Sequence, residues 1–165
     1  NPCPCGYFNH PEKECICGTN TVQRYLSKIS GPLLDRIDLH IEVTPVLFDE
    51  LSTTRSVDDS RTVRRRVIQT REIQKERFKS FPDVHCNAQM STRLTREICQ
   101  IDEAGRKLLK TAIERLSLSA RAYDRILKVA RTIADMENSP TIDNHHIAEA
   151  IQYRNLDRET WNGKF

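Results

Sequence analysis

The stretch LSARAYDRILKVARTIADM, residues 118–136, decides the fold of this chain. Its apolar residues recur at steps of three and four, which is the period of a helix that buries one face. The apolar stripe consists of Ala122, Ile126, Val129, Ile133 and Met136, with Leu127, Ala130 and Ala134 at its margins. Ser119 or Ser117 is available as the N-cap. We therefore predict a central helix over residues 118–136.

The first turn of this helix carries Arg121, and Arg125 follows one turn later. The helix dipole makes this end positive, so a cation there costs roughly a few tenths of a kcal/mol unless an anion joins it. Unpaired N–H groups at a helix start bind phosphate readily. Arg121 and Arg125 are therefore candidate phosphate ligands, and a solvated arginine face on a core helix is the alternative.

Shorter periodic stretches predict further helices over residues 21–31, 61–79, 91–98 and 102–116, and a last helix capped by Asp143. The first should end at Gly31-Pro32. The basic residues of the 61–79 helix spread around its circumference, which is typical of a solvated face, with nucleic acid as a minority alternative. The fold class is therefore mainly α, with a bundle of four or five helices from about residue 61 to 156.

Residues 36–44 alternate Ile37, Leu39, Ile41 and Val43 with polar residues, a pattern that predicts a short strand with one buried face. One short strand is not stable alone. We therefore expect residues 1–48 to be the end of an α/β core, so that the chain is part of a longer protein. Residues 49–60 should form a polar linker and residues 157–165 a tail.

Composition excludes several classes of protein. The 165 residues carry a net charge of +3, which is too balanced to indicate nucleic-acid binding by itself. No apolar run approaches the roughly 20 residues that span a membrane, and no signal peptide is evident. Six cysteines in a largely helical chain do not resemble a secreted disulfide framework. We expect a reducing, cytoplasmic location.

Cys3, Cys5, Cys15 and Cys17 form two C-x-C pairs separated by nine residues. Four thiolates can close a tetrahedral Zn²⁺ site, although paired zinc ligands usually have two to four residues between them. His10 could replace one cysteine. The alternative is four thiols in a loop that rests on another domain.

Other catalytic patterns are absent from the sequence. It contains no GxxxxGK[ST] phosphate loop. His145 and His146 lie in the first turn of the last predicted helix, where cap or surface roles are more common than metal ligation.

Four motifs together resemble the C-terminal third of the Mg-chelatase-like AAA+ ATPases of the YifB/ComM type. The motifs are NPCPCG at residues 1–6, SGPLLDRIDL at 30–39, LSARAYDRILKVARTIAD at 118–135 and AIQYRNLDR at 150–158. The resemblance covers nearly the whole chain and keeps the motifs in order.

The resemblance implies a role for particular residues. Asn1 would be the sensor-1 asparagine, which orients water near the γ-phosphate of ATP. Arg36 would be the arginine finger, which enters the ATP site of a neighbouring subunit. Arg121 would be the sensor-2 arginine of a helical lid over residues 61–156, with Arg125 assisting. ATP and Mg²⁺ would be the cofactors. The Walker A and B segments would lie upstream, so this stretch alone should not hydrolyse ATP.

The resemblance also implies a ring, expected to be a hexamer, that acts on DNA in branch migration. Two alternatives stay open at this point. One is a free-standing zinc-stabilised helical module that binds nucleic acid or a protein partner. The other is a chelatase subunit that inserts Mg²⁺ into a porphyrin. The lone predicted strand favours the ATPase over the free-standing module, because a self-contained module would not leave a sheet edge without partners.

Overall fold

The computed structural model describes residues 3–8, 10, 12–41, 43, 58–116 and 118–154. The regular secondary structure of these residues is helical. The helices are α1 (Thr19–Leu26), α2 (Gly31–Leu34), α3 (Ser60–Arg77), α4 (Thr92–Ile98), α5 (Glu103–Leu116), α6 (Ala120–Met136) and α7 (Asn144–Gln152), with a 3₁₀ turn at Asn87–Gln89. The mainly α fold class is confirmed. Asn1, residues 44–57 of the expected core end and linker, and the tail from residue 155 lie outside the described residues.

The central helix forms as predicted. Ser119 is its N-cap, and its hydroxyl accepts a hydrogen bond from the Ala122 N–H at 3.3 Å. Ser117 lies outside the described residues. α6 contacts α3, α4, α7 and the 3₁₀ turn, while α5 packs against α7. The buried stripe ends before Met136, which is 47% exposed because it is the last residue of the helix.

α5 and α7 approach each other closely at Gly105. A Cβ atom at this position would lie 2.7 Å from Ile147 Cδ1 and 3.0 Å from Asp102 Oδ1. A larger side chain at this position would therefore require the Ile147 and Asp102 side chains to shift. The neighbouring Leu109 is 1% exposed and belongs to the same core as Ile126 and Ile147.

Two predictions for the N-terminal region are wrong. The helix predicted over residues 21–31 ends at Leu26, and Gly31-Pro32 begins α2 instead of ending α1. Proline fits the first helical turn because the N–H that it lacks would have no partner there. The described residues of the predicted strand, 36–41 and 43, form no strand. A strand requires a neighbouring strand for its hydrogen bonds, and the described part of the chain offers none.

A polar network fixes the C-terminal half of α6. The Asp135 carboxylate, which is fully buried, accepts from Arg77 of α3 (Nη1 to Oδ2 2.7 Å), from Asn87 of the 3₁₀ turn (2.8 Å) and from Arg131 (3.0 Å). Arg131, itself 3% exposed, also donates to two carbonyl groups of the α6–α7 turn at 3.0 and 2.5 Å. The network therefore joins α3, α6, the 3₁₀ turn and the turn between α6 and α7.

Replacing Asp135 by alanine should destabilise the fold strongly. The substitution leaves two arginines, one of them buried, without their counter-charge, and removing one partner of a buried ion pair costs about 3–5 kcal/mol. Urea unfolding followed by circular dichroism measures this loss. Glu114→Ala is the control, because Glu114 forms an exposed pair with Lys110 at 3.8 Å and should lose less than about 1 kcal/mol. Equal losses in the two variants would contradict the role of the network.

Candidate phosphate-contacting arginines and metal centre

Arg36 lies in the turn after α2, and its side chain is exposed. Its Nη1 donates to the Pro32 carbonyl oxygen at 3.5 Å. The neighbouring carboxylates of Asp35 and Asp38 form their ion pairs with other arginines. Among the described residues, Arg36 therefore forms no ion pair with either of these carboxylates.

Arg125 binds the chain segment that carries Arg36. Its Nη1 donates to Asp38 Oδ1, and the two side chains are 29% and 46% exposed. This ion pair joins the second turn of α6 to residues 35–40, which we call the 35–40 segment. Arg125, a predicted phosphate ligand, thus has a carboxylate partner within the chain.

The end of α7 provides three further ties to the 35–40 segment. Arg154 is 1% exposed; its Nη1 donates to the Ile37 carbonyl oxygen, and its Nη2 lies 3.8 Å from Asp35 Oδ1. The backbone N–H of His40 donates to the Tyr153 carbonyl oxygen at 2.8 Å. The segment is therefore held against both α6 and α7.

Arg121 occupies the first turn of α6 with an exposed side chain. No acidic residue lies in that turn. In the described part of the chain, no carboxylate forms an ion pair with Arg121. The guanidinium group is thus presented to solvent at the positive end of a helix of 17 residues, a place where an anion is favoured.

The four cysteines of the two C-x-C pairs come together. The Sγ atoms of Cys3, Cys5, Cys15 and Cys17 all lie within 4.8 Å of one another. Cys3–Cys5, Cys5–Cys15 and Cys3–Cys15 are separated by 3.3, 3.5 and 3.7 Å. Zinc–sulfur bonds of about 2.3 Å in a tetrahedron put the sulfurs about 3.8 Å apart. The spacing therefore fits one zinc ion.

Two features hold this cluster in place. Cys3 is 1% exposed and packs against Val22 and Leu26 of α1. The turn between the first two cysteines closes through a hydrogen bond from the Gly6 N–H to the Cys3 carbonyl oxygen at 3.2 Å. Gly6 has a φ of 81°, which other residues adopt at a cost.

The cluster's electrostatics favour a cation. A hydrogen bond from the Tyr7 backbone amide lowers the pKa of Cys5 to about 6, which gives the thiolate form that binds metal. The pKa of Cys15 is raised to about 12, because desolvation and hydrogen bonds to Cys5 and Cys3 outweigh the lowering effect of the Cys17 backbone. A divalent ion would stabilise four thiolates together.

His10 does not belong to the cysteine cluster. Its Nδ1 accepts from the backbone N–H groups of Glu12 and Lys13, both at 3.1 Å. The proposal that it replaces a cysteine ligand is therefore not supported by its geometry.

A second group of metal-type ligands lies at the α6–α7 corner, where Glu137 Oε2 is 2.9 Å from His145 Nε2 and 3.0 Å from His146 Nε2. His146 Nδ1 accepts from the Asp143 N–H at 2.8 Å, so the ring proton of neutral His146 is on Nε2. That proton blocks metal binding by Nε2. The hydrogen bond to Glu137 also raises the pKa of His145. The hydrogen bonds from His145 and His146 lower the pKa of the Glu137 carboxyl group. The corner is a helix cap and an ion pair.

The sequence did not identify Arg154 as a residue of this region. Its partners lie 117 and 119 residues away in the chain, so no local pattern could reveal them. The only feature of the sequence that singled out Arg154 was its place in the tail motif, IQYRN.

A helix that spans a membrane must have sufficient length and hydropathy. None of the helices in the described part of the chain meets both requirements.

Comparison with known proteins supplies the family. Residues 1–51 match the family described as magnesium chelatase, subunit ChlI, and residues 57–154 match magnesium chelatase, subunit ChlI C-terminal. The chain is 37% identical over 159 residues to competence protein ComM of Haemophilus influenzae and to protein YifB of Salmonella typhimurium. It is 35% identical over 161 residues to YifB of Escherichia coli.

Each of these three alignments covers 96% of this chain and 30% of the relative. The chain therefore spans about a third of the length of the curated relatives that it matches. Because the C-terminal family match extends over most of the helical bundle, and the relatives align along nearly the whole chain, the chain belongs to the Mg-chelatase-like family of ComM and YifB, whose C-terminal part it matches.

Proposed function

We propose that this chain supplies the sensor, arginine-finger and lid elements of an ATPase within a longer protein that assembles into a ring. ATP and Mg²⁺ are then the cofactors of the whole protein. Asn1 would act as sensor 1, Arg36 as the finger and Arg121 as sensor 2. The family resemblance further suggests a hexamer that works on DNA, and the name of the Haemophilus relative refers to competence.

The observation that carries this proposal is the set of partners of the basic residues on α6. Arg125 pairs with Asp38, Lys128 donates to the carbonyl groups of Ala88 and Met90, and Arg131 pairs with Asp135. Arg121 is the one that remains without such a partner among the described residues. A cation that has no partner at the positive end of a helix is suited to bind an anionic group such as phosphate.

Arg36 fits the role of a finger for a related reason. Its side chain is exposed, while the carboxylates on both sides of it are engaged by Arg154 and Arg125. A guanidinium group that no described carboxylate neutralises is suited to stabilise charge that develops on a phosphoryl group of another subunit.

We further propose that Cys3, Cys5, Cys15 and Cys17 bind one structural Zn²⁺. The four sulfur atoms are already close enough to coordinate a single ion. The loop that they belong to has only a small apolar cluster with α1, so a metal would contribute much of its stability. The role would be to hold the chain N-terminal to α1 and not to take part in catalysis.

Protein purified without chelator should contain about one zinc ion per chain. Cys15→Ser should reduce the zinc content strongly, because three thiolates hold zinc less tightly than four. Cys86→Ser is the matched control, since Cys86 lies outside the cluster. Metal analysis with a thiol titration measures both. Less than about a tenth of an equivalent of zinc in the wild-type protein, with all four thiols reactive, would reject the site.

In the full-length protein, Arg36→Ala should lower ATP turnover roughly 10³- to 10⁵-fold, the range that an arginine finger contributes. Nucleotide affinity should remain nearly unchanged, because the finger acts on the transition state in a neighbouring subunit. Turnover and the Kd of a fluorescent ATP analogue are the measurements. Arg24→Ala, an exposed arginine on α1, should retain wild-type turnover. Wild-type turnover in Arg36→Ala would reject the finger assignment.

Arg121→Ala in the full-length protein should reduce nucleotide affinity or turnover about ten- to a hundredfold, which corresponds to one charge-assisted hydrogen bond of roughly 1.5–3 kcal/mol. Arg96→Ala is the matched control, because Arg96 is an exposed arginine on α4. The Arg121→Ala variant should not melt below the wild type, because removing a cation from the positive end of a helix does not destabilise the helix. If Arg121→Ala changes only the melting temperature, or behaves like Arg96→Ala, then Arg121 does not contact phosphate.

A further inference from the structure

The 35–40 segment is attached to the bundle by polar ties at three of its residues and by one backbone hydrogen bond. Asp38 binds Arg125 of α6, while the Ile37 carbonyl and the Asp35 carboxylate face Arg154. His40 is bonded through its backbone to Tyr153. The ties therefore lie on both sides of Arg36 in the chain.

The two apolar side chains within this segment, Ile37 and Leu39, are half-buried, and exposure rises in the residues that follow the segment. The exposed fraction is 42% for Ile37, 46% for Leu39, 66% for Ile41 and 86% for Val43. Exposure thus increases with distance along the chain from the Arg125 and Arg154 contacts. Because the hydrophobic effect scales with the apolar area removed from water, the partial burial of Ile37 and Leu39 adds to the attachment that the polar ties provide.

The tie between Arg125 and Asp38 differs from an ordinary surface ion pair. The Arg125 side chain is only 29% exposed, and its helix is fixed at the other end by the buried Asp135 network. The Arg125–Asp38 ion pair is therefore a direct connection between the first two turns of α6, where Arg121 lies, and the residue two positions after Arg36.

We propose that Arg125 is a positioning residue, not a phosphate ligand: through Asp38 it holds Arg36 in register with the first turn of α6. A nucleotide contact at Arg121 and the placement of Arg36 are then coupled through one rigid connection. This inference rests on the function proposed above for Arg36 and Arg121. It assigns to Arg125 a different task from the one that its spacing from Arg121 predicts.

Hydrogen exchange on the full-length protein tests the connection without reference to catalysis. Arg125→Ala and Asp38→Ala should each increase exchange of the 35–40 segment, including the His40 amide, roughly two- to fivefold, the effect of a partly exposed ion pair. Exchange in the C-terminal half of α6 should stay as in the wild type. Arg66→Ala is the matched control, because Arg66 forms an exposed pair with Asp58 at 3.2 Å. Unchanged exchange in the 35–40 segment of both variants would overturn the proposal.

A double-mutant cycle on ATP turnover tests whether Arg125 and Asp38 act together in placing Arg36. Arg125→Ala and Asp38→Ala should each lower kcat about tenfold, with little change in nucleotide Kd, and the double variant should be no worse than either single one. Arg125→Lys should recover part of the loss. An Arg125→Ala variant with weakened nucleotide binding, combined with a normal Asp38→Ala variant, would instead make Arg125 a phosphate ligand and overturn the proposal.

The two proposals fail in different ways. If Arg36→Ala retains wild-type turnover, the finger assignment fails, whatever the exchange data show. If Arg36→Ala is inactive while Arg125→Ala and Asp38→Ala both turn over normally, the finger stands and the positioning role of Arg125 is wrong.

Discussion

The buried carboxylate of Asp135 is the constraint on which the bundle depends. A charge that is removed from water must be paired and hydrogen-bonded, so α3 must bring Arg77 and the 3₁₀ turn must bring Asn87 to the same place on α6. Apolar contacts alone would allow helices to slide against one another. The directional bonds to Asp135 allow one arrangement, which sets the register of α3 against α6.

Anchoring the C-terminal half of α6 in this way leaves the N-terminal half for other contacts. That half carries Arg121 and Arg125, and it faces the 35–40 segment through the Asp38 ion pair. The same helix therefore holds the core at one end, and at the other carries Arg121, the proposed phosphate ligand, and Arg125, the proposed positioning residue. A rigid helix 17 residues long can connect the two regions without any change in its own conformation.

Periodicity predicted the bundle well because α4 to α7 follow local signals, such as the Ser119 cap and the apolar stripe of α6. It failed where structure depends on distant partners. The alternation at residues 36–44 indicates a strand only if a second strand is available, and the described residues provide none. Likewise, no local rule could show that Arg131 is 3% exposed while Arg121, ten residues earlier, faces solvent.

The position of Arg121 along α6 distinguishes it from the other basic residues of that helix. The unfavourable effect of the helix dipole on a cation is confined to about the first turn. Arg125, Lys128 and Arg131 lie beyond that turn, and each is neutralised or hydrogen-bonded by the protein. Arg121 lies within it, where no acidic side chain offsets the cost. An anion bound there would interact favourably with both the guanidinium group and the helix start. The unfavourable interaction of Arg121 with the helix dipole is therefore offset only when a ligand is present.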